Sequence, residues 1–477
     1  MTPSVFRGLH VHLIGIGGAG VSALAPLLRQ AGATVSGCDS CSSPVTEHLE
    51  HAGVRIFSGH SASHLAGVDL VVHTAAVTRT HTELVAAERR GIPIMTRGTC
   101  LVQLMQGTRT IAVAGSHGKT STTWMLGHLL SESGHDPVVM VGGSVASLGG
   151  GGARVGLGRL FIAETDESDG SFFHVEPDIA IVTNLDREHL DHWGSYDALE
   201  EAFHAWLQRL PASGTAIVPA LGLSPRITAG LTCRVIRCGL ETGDVFGTQV
   251  ALGADNSRVR LSSFGHDLGE ITVPLPGAHM VCNALMAVAA ACVVDPSCNL
   301  ASLAHCERVR RRFTVHGVAD GIRVVEDYGH HPTEVRATIA AARLGGGRVH
   351  VLFQPHRYTR TRDCFAEFTC AFDQVHALAL LPIYAASEAP LPGIDSPHLT
   401  AAIRERRHMT GVDETVADCA SGLEAMRFIG THARPGDTVL VLGAGDVGEL
   451  APKVLEYFSV RQRQKPSPLP SDLFTLV

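Results

Sequence analysis

Lysine is nearly missing from this chain. Among 477 residues there are three lysines (Lys119, Lys453, Lys465) against 35 arginines, so one lysine serves the first 452 positions. Aromatic residues are few, at 5%. There is no excess of positive charge: the formal net charge is −8, which gives no basic field and excludes nucleic acid as a main partner. Long apolar runs are also lacking. The longest clean one, residues 284–294, is too short to cross a bilayer. Residues 11–28 are apolar, but glycines at 15, 17, 18 and 20, Pro26 and the lack of a small-residue cleavage pattern argue against a signal peptide. Twelve cysteines are scattered, and only Cys38 and Cys41 form a C-x-x-C. One pair cannot complete a tetrahedral zinc site and no second pair has matching spacing, so a reduced, cytoplasmic chain is expected.

What the chain has is glycine, 51 residues of it, and 45% hydrophobic residues, enough for buried cores. At roughly 150 residues per domain the length suggests about three domains. Residues 10–38 read strand, glycine turn, helix, strand, and a second such unit follows through residue 91. A polar break at 105–109 ends the block, and TIAVAGSHGKTSTTWMLGHLLSESG restarts the pattern. Residues 228–275 are strand-rich, the segment from Gly277 returns to helix, and a third α/β block begins near residue 316. The expected architecture is α/β in three domains. These are a Rossmann-like domain over 1–107, a central, mostly parallel-sheet domain of P-loop ATPase type over 108–314, and a Rossmann-like C-terminal domain over 315–460. A disordered, Arg/Pro/Ser-rich tail is expected over 461–477.

Four constellations carry chemistry. Gly15-Ile-Gly17-Gly18-Ala19-Gly20 fits G-x-G-x-x-G between a strand and a helix, and Asp39 follows at the distance of a ribose-binding acid. Taken alone this suggests a dinucleotide. Gly443-Ala-Gly445-Asp-Val-Gly448 repeats the pattern, and there a tight strand-to-helix turn is the plainer reading. Gly115-Ser116-His117-Gly118-Lys119-Thr120 is the strongest motif. Its amides can wrap a triphosphate, Lys119 can bridge the outer phosphates and the Thr120 hydroxyl can bind Mg²⁺. Val113 stands where a full Walker loop has glycine, so the loop is a shortened variant. Glu164, Asp166, Glu167 and Asp169 crowd one strand end, and Asn184-Leu-Asp186-Arg-Glu188-His189-Leu-Asp191 closes the next, a donor set suited to Mg²⁺. In the third block, Asp327-Tyr328-Gly-His330-His331-Pro332 and Gln354-Pro355-His356-Arg357-Tyr358-Thr359-Arg360-Thr-Arg362 follow buried strands, where Arg357 and Arg360 can grip a carboxylate or a transferred phosphate.

Together HLIGIGGAGVSALA, AGSHGKTSTT, AETDESDGSF, VTNLDREHLDHW, EDYGHHPTEV, FQPHRYTRTR and VLGAGDVG resemble the Mur ligases, ATP-dependent amide-forming enzymes of peptidoglycan precursor synthesis in the bacterial cytoplasm. The resemblance runs from about residue 10 to about 458. It implies UDP-N-acetylmuramate and L-alanine as substrates, ATP and Mg²⁺ as cofactors, no nucleic-acid partner, no membrane insertion, and a monomer or homodimer. The sugar nucleotide would lie on Gly15, Gly17, Gly18, Ala19, Gly20, Asp39 and Thr74. ATP would lie on Gly115, Ser116, His117, Gly118, Lys119, Thr120 and Ser121, with Asn283 reading adenine and Arg312 and Asp327 completing the site. Thr120, Glu164 and His189 would hold metal. Lys119, His330, His356, Arg357 and Arg360 would act in catalysis, with Tyr328 and the last four at the muramoyl-alanine end. ATP would phosphorylate the muramate carboxylate, and the alanine amine would displace phosphate while the third domain closes over the reaction. Some relatives use a carbamylated lysine at the second magnesium, and no lysine lies between Leu190 and Pro452 here.

Two departures stand out. The family pattern G-x-H-N-x-x-N reads Gly277-Ala-His279-Met280-Val-Cys-Asn283, so Met280 replaces an adenine- or ribose-side Asn. Thr74-Ala75-Ala76 stands where the family tends to Ser-Ser-Ala. Competing readings are an NAD-dependent oxidoreductase, a P-loop regulatory binding protein, and a ligase attaching a whole peptide to the same sugar nucleotide.

Overall fold

The computed structural model describes residues 5–74, 77–167, 170–386, 388–412 and 415–464. Ala75, Ala76 and Asp169 of the sequence reading lie outside them, as does the tail beyond 464. The strands are β1 (His10–Ile14), β2 (Thr34–Asp39), β3 (Arg55–Ser58), β4 (Leu70–His73), β5 (Ile94–Thr96), β6 (Arg109–Ala114), β7 (Val138–Met140), β8 (Ala153–Arg154), β9 (Leu160–Glu164), β10 (Ile179–Val182), β11 (Thr215–Pro219), β12 (Arg234–Leu240), β13 (Val245–Leu252), β14 (Ser257–Ser263), β15 (His266–Val273), β16 (Thr314–Ala319), β17 (Ile322–Asp327), β18 (Val349–Phe353), β19 (Ala377–Leu380), β20 (Val416–Asp418) and β21 (Thr438–Leu442).

They form three sheets, in the orders β3-β2-β1-β4-β5, β15-β14-β13-β12-β11-β10-β6-β9-β7-β8 and β16-β17-β21-β18-β19-β20. Every pairing in the first sheet is parallel. Its order reverses between β1 and β4, which opens a crevice beyond the carboxyl ends of those strands, where open α/β sheets bind ligands. In the second sheet β6 lies between β10 and β9, parallel to both, so the ends of three buried strands converge.

The chain divides into two compact units. One takes residues up to Ala251, Ser257–Pro274 and His279–Arg310, and the other Leu252–Asn256, Leu275–Ala278 and the chain from Arg311. The first two sheets share the first unit because one apolar cluster serves both. Phe6, Leu13, Leu24 and Leu28 belong to the same buried cluster as Met140, Phe161, Phe172 and Trp206. The helix Ala278–Val294 contains the longest apolar run and is buried along most of its length, the reason it is apolar all round. No helix among the described residues is long and apolar enough to cross a membrane.

Two details differ from the sequence reading. The helix after Gly20 is broken at Ala23 into Ala19–Ser22 and Leu24–Gln30. The last helix, Leu450–Gln464, runs four residues into the expected disordered tail. Arg461 anchors it, with Nε 2.7 Å from Asp320 Oδ2 and Nη1 2.7 Å from the Gly430 carbonyl, and Gln462 Oε1 accepts the Asp320 amide at 2.8 Å.

Candidate active site

The phosphate-loop motif sits between β6 and the helix Lys119–Glu132. Gly118 caps that helix in the left-handed region (φ +80), and a Cβ there would lie 2.5 Å from Asn283 Oδ1, so only glycine fits. The loop is braced from the end of β10. Ser116 N–H donates to the Asn184 carbonyl (3.0 Å), His117 N–H to Asn184 Oδ1 (2.9 Å), and Thr183 Oγ1 and Asn184 Nδ2 donate to the His117 carbonyl (2.6 and 2.9 Å). Ser116 Oγ accepts the Asp186 amide at 2.9 Å, and His117 Nε2 lies 3.0 Å from Asp186 Oδ2. Ser121 is buried in the first turn of the helix. These bonds hold the loop's shape from within the protein.

Lys119 Nζ donates to both oxygens of Glu167, at 2.7 and 2.8 Å. Burial opposes its charge, but Glu167, Asp166 and Glu164 outweigh this and raise its pKa. Glu167 is 1% exposed, and burial pushes its carboxyl up to about 7 although Lys119 pulls it down. Thr120 Oγ1 donates to Glu164 Oε1 (3.1 Å), and Gly142 N–H donates to Glu164 Oε2 (2.6 Å). A hydroxyl and a carboxylate beside a phosphate loop are hard oxygen donors of the kind Mg²⁺ takes, so these residues fit that ion. His189 caps the short helix Leu190–Trp193 on the loop after β10, in the left-handed region (φ +56). Asn283 is buried at the foot of the loop against Gly118, with Met280 Sδ 3.7 Å from its Nδ2, so the methionine occupies the amide's own surroundings.

On the first sheet, residues 15–20 lie at the end of β1, beside the crevice. Asp39 Oδ2 accepts the Gly17 amide at 2.9 Å, so the acid read as a ribose partner also shapes the glycine loop. Ala19 opens the first helical turn, with Gly18 as its cap. Thr74 directly follows β4, and its methyl faces Gly15. Arg97, which belongs to no motif of the sequence, packs on Gly20 and ion-pairs with Asp166 at 3.9 Å, linking this loop to the acidic strand end of β9. Its only sequence signal is its place at the start of a helix.

In the second unit, Asp327 is buried at the end of β17. Its carboxylate accepts the Phe313 and Gly329 amides (both 2.8 Å) and the Thr338 hydroxyl (3.2 Å), and burial raises its pKa. It braces the loops around it. Arg311 and Arg312 lie over the Tyr328 ring, 5.0 and 5.1 Å from its centroid, and Arg312 is 3.8 Å from Glu334. His330 and His356 stand with ring centroids 5.5 Å apart, and His356 stacks on Tyr384. Arg360 Nη1 is 3.3 Å from His356 Nδ1, and Arg357 Nε is 3.3 Å from Glu388. Burial, reinforced by His330, Arg360 and Arg357, pushes His356 down to about 3, so its ring is neutral and accepts rather than carries charge. The structure thus groups the predicted residues into three constellations, two on the first unit and one on the second.

Comparisons with known proteins place the chain in a family. The Mur ligase family catalytic-domain model matches residues 10–109, the Mur ligase middle-domain model 159–291 and the Mur ligase glutamate ligase domain model 311–445. The UDP-N-acetylmuramate–L-alanine ligase of Solibacter usitatus is 44% identical over 464 residues, covering 94% of this chain and 96% of its own. The protein of that name from Sorangium cellulosum is 43% identical, covering 93% and 95%. Among solved structures, the UDP-N-acetylmuramate-alanine ligase of Thermotoga maritima superposes with a TM-score of 0.80 at 25% identity, covering 95% of this chain and 100% of that one. The murein peptide ligase of Psychrobacter arcticus shares the fold, at TM-score 0.69 and 24% identity over 95% and 99%. The chain belongs to the Mur ligase family.

Proposed function

We propose that this chain is a cytoplasmic UDP-N-acetylmuramate–L-alanine ligase, joining L-alanine to the muramate carboxylate at the expense of ATP for peptidoglycan precursor synthesis. The observation that carries the reading is Lys119 at a helix start, gripped by buried Glu167 beside the Thr120–Glu164 pair. Near-full-length relatives of that name support the same reading. Residues 1–107 take the UDP moiety, 108–314 take ATP and 315–460 serve the amino-acid end.

Lys119 leaves Glu167 for the outer phosphates and offsets charge on the transferred group. Backbone amides of the preformed loop hold the rest of the triphosphate. Thr120 and Glu164, with His189 on the neighbouring strand end, would hold Mg²⁺, which screens charge between phosphate oxygens when bound. The muramate carboxylate attacks the γ-phosphorus, ADP leaves, and the alanine amine then displaces phosphate from the acyl carbon. Arg357 and Arg360 hold the amino-acid carboxylate. His356, too weak a base to take the amine proton, orients as a neutral acceptor with His330 beside it.

The test is phosphate release over a panel of UDP-sugars and amines. Release that needs both UDP-N-acetylmuramate and L-alanine is expected. Release with a peptide but not with alanine would assign the peptide-attaching activity instead. Release with no amine dependence would overturn both.

A further inference from the structure

Under the first sheet lies a cluster that the ligase reaction does not use. His12 on β1, Cys38 on β2, His64 on the 3-10 turn Ala62–Leu65 and Glu83 on the helix Thr82–Arg90 each offer one donor atom, all within 4.8 Å of one another. His12, Cys38 and Glu83 are fully buried. Ser36 Oγ, 2.9 Å from His12 Nδ1, fixes that ring. His12 Nε2 is left buried without a hydrogen-bond partner, 3.6 Å from Glu83 Oε2. Cys38 Sγ lies 2.8 Å from the same oxygen, and His64 Nδ1 lies 2.7 Å from Glu83 Oε1. An orphaned imidazole nitrogen directed at a fully buried carboxylate and thiol is costly as it stands.

We propose that His12, Cys38, His64 and Glu83 form a structural Zn²⁺ site. The charges balance: a dication with one thiolate, one carboxylate and two neutral imidazoles is neutral overall, which burial favours. The donor set of two nitrogens, one sulfur and one oxygen suits a borderline-soft ion. Bond lengths of about 2.0–2.3 Å place tetrahedral ligand atoms roughly 3.3–3.8 Å apart. The donor atoms here all lie within 4.8 Å of one another, so seating the ion needs side-chain shifts of about 1 Å or less. Binding displaces the Cys38 proton to solvent and breaks its S–H···O bond to Glu83, while zinc bonds form to both groups. Four protein ligands close the shell, so the ion is structural. Ser36 supplies the outer-shell bond on His12. Cys38 also accepts the Gly15 and Ile16 amides through its carbonyl (2.9 and 3.1 Å), so the ion would stiffen the glycine loop. Cys41, the other half of the C-x-x-C, is exposed and lies outside this donor set.

The experiment measures zinc in the full chain purified from zinc-supplemented cells and desalted against a mild chelator, then records the absorption spectrum after Co²⁺ replaces it. One zinc per chain and a thiolate-to-cobalt charge-transfer band are expected. Both should be lost in Cys38→Ser and retained in Glu164→Gln, which alters the magnesium donors and not this cluster. A wild-type chain that holds no zinc and shows no band overturns the proposal, as does a band that survives Cys38→Ser.

Discussion

The turn after β6 and the turn after β21 both lead from a buried parallel strand through glycines towards a helix. In the first, the cation is Lys119, tied to the carboxylate of Glu167, which on the proposed function it would exchange for phosphate. In the second, residues 443–448, the cation is built in. Arg311 Nη2 donates to the Gly443 and Gly445 carbonyls at 2.6 and 3.0 Å, Nη1 lies 3.4 Å from the Ala444 carbonyl, and Nε lies 3.0 Å from Glu326. A Cβ on Gly443 (φ +145) would lie 2.8 Å from the Gln354 carbonyl. That turn gathers carbonyl oxygens around a guanidinium, the opposite polarity to an anion site. A shared glycine spacing thus says that the chain turns tightly, and the charge filling the turn says what it is for.

The largest effect expected is at Lys119. Lys119→Ala should lower kcat by about 10²–10³, the usual loss for one preorganised charge stabiliser. It also leaves Glu167 buried without its partner, so part of any loss could be structural. Lys119→Ala combined with Glu167→Gln should regain the thermal stability of wild type and none of the turnover. A double variant that regains turnover would remove the contrast between the two turns.

Next in size is Arg311→Ala, which strips the second turn of its fixed cation. Charge-assisted bonds to three carbonyls are lost, and denaturant unfolding should show a destabilisation of about 1–3 kcal/mol. Arg311→Lys should recover only part of it, because a point charge cannot span three carbonyls as a planar fork does. An Arg311→Ala chain as stable as wild type would mean that the turn holds itself.

Much of this architecture was readable in the sequence. Short buried runs such as TIAVA and TVLVL end in glycine turns, and the structure makes them β6 and β21. The phosphate loop, the acidic strand end and the histidine–arginine clusters were found because each is local in sequence. Choices among equals were not readable: the sequence crowds four acids into residues 164–169, and only packing selects Glu167 for Lys119. In the run Arg310-Arg311-Arg312 nothing local says that Arg311 clamps the turn while Arg312 faces Glu334. The donors at 12, 38, 64 and 83 were invisible because four separate elements bring them together.

A smaller effect tests how Glu167 differs from an ordinary surface acid. Its carboxyl rises from 4.5 to about 7 in the folded chain, so between those values the native state binds a proton that the unfolded chain has released. Stability should fall as pH rises through that window and level off above it. Glu167→Gln should flatten that part of a pH series of melting temperatures. An unchanged slope would place the titration elsewhere.

The smallest effect expected is none at all, and it concerns the chain's want of lysine. In relatives that carry a lysine carbamate, CO₂ supplies a ligand for the second magnesium. Here the described lysines are Lys119 and Lys453, with Lys465 outside the described residues. Lys119 is held as a cation by Glu167, and a carbamate would put negative charge at the proposed phosphate site. Lys453 is exposed on the helix Leu450–Gln464, beyond the built-in turn. On the proposed assignment Glu164, His189, phosphate oxygens and water would complete the shell, which Mg²⁺ accepts because it commonly keeps several waters. Degassed, bicarbonate-free enzyme should therefore turn over at the same rate before and after bicarbonate is restored. A fall on degassing followed by recovery would show that a carbamate forms, and Lys119 could then no longer be read as a simple phosphate-binding cation.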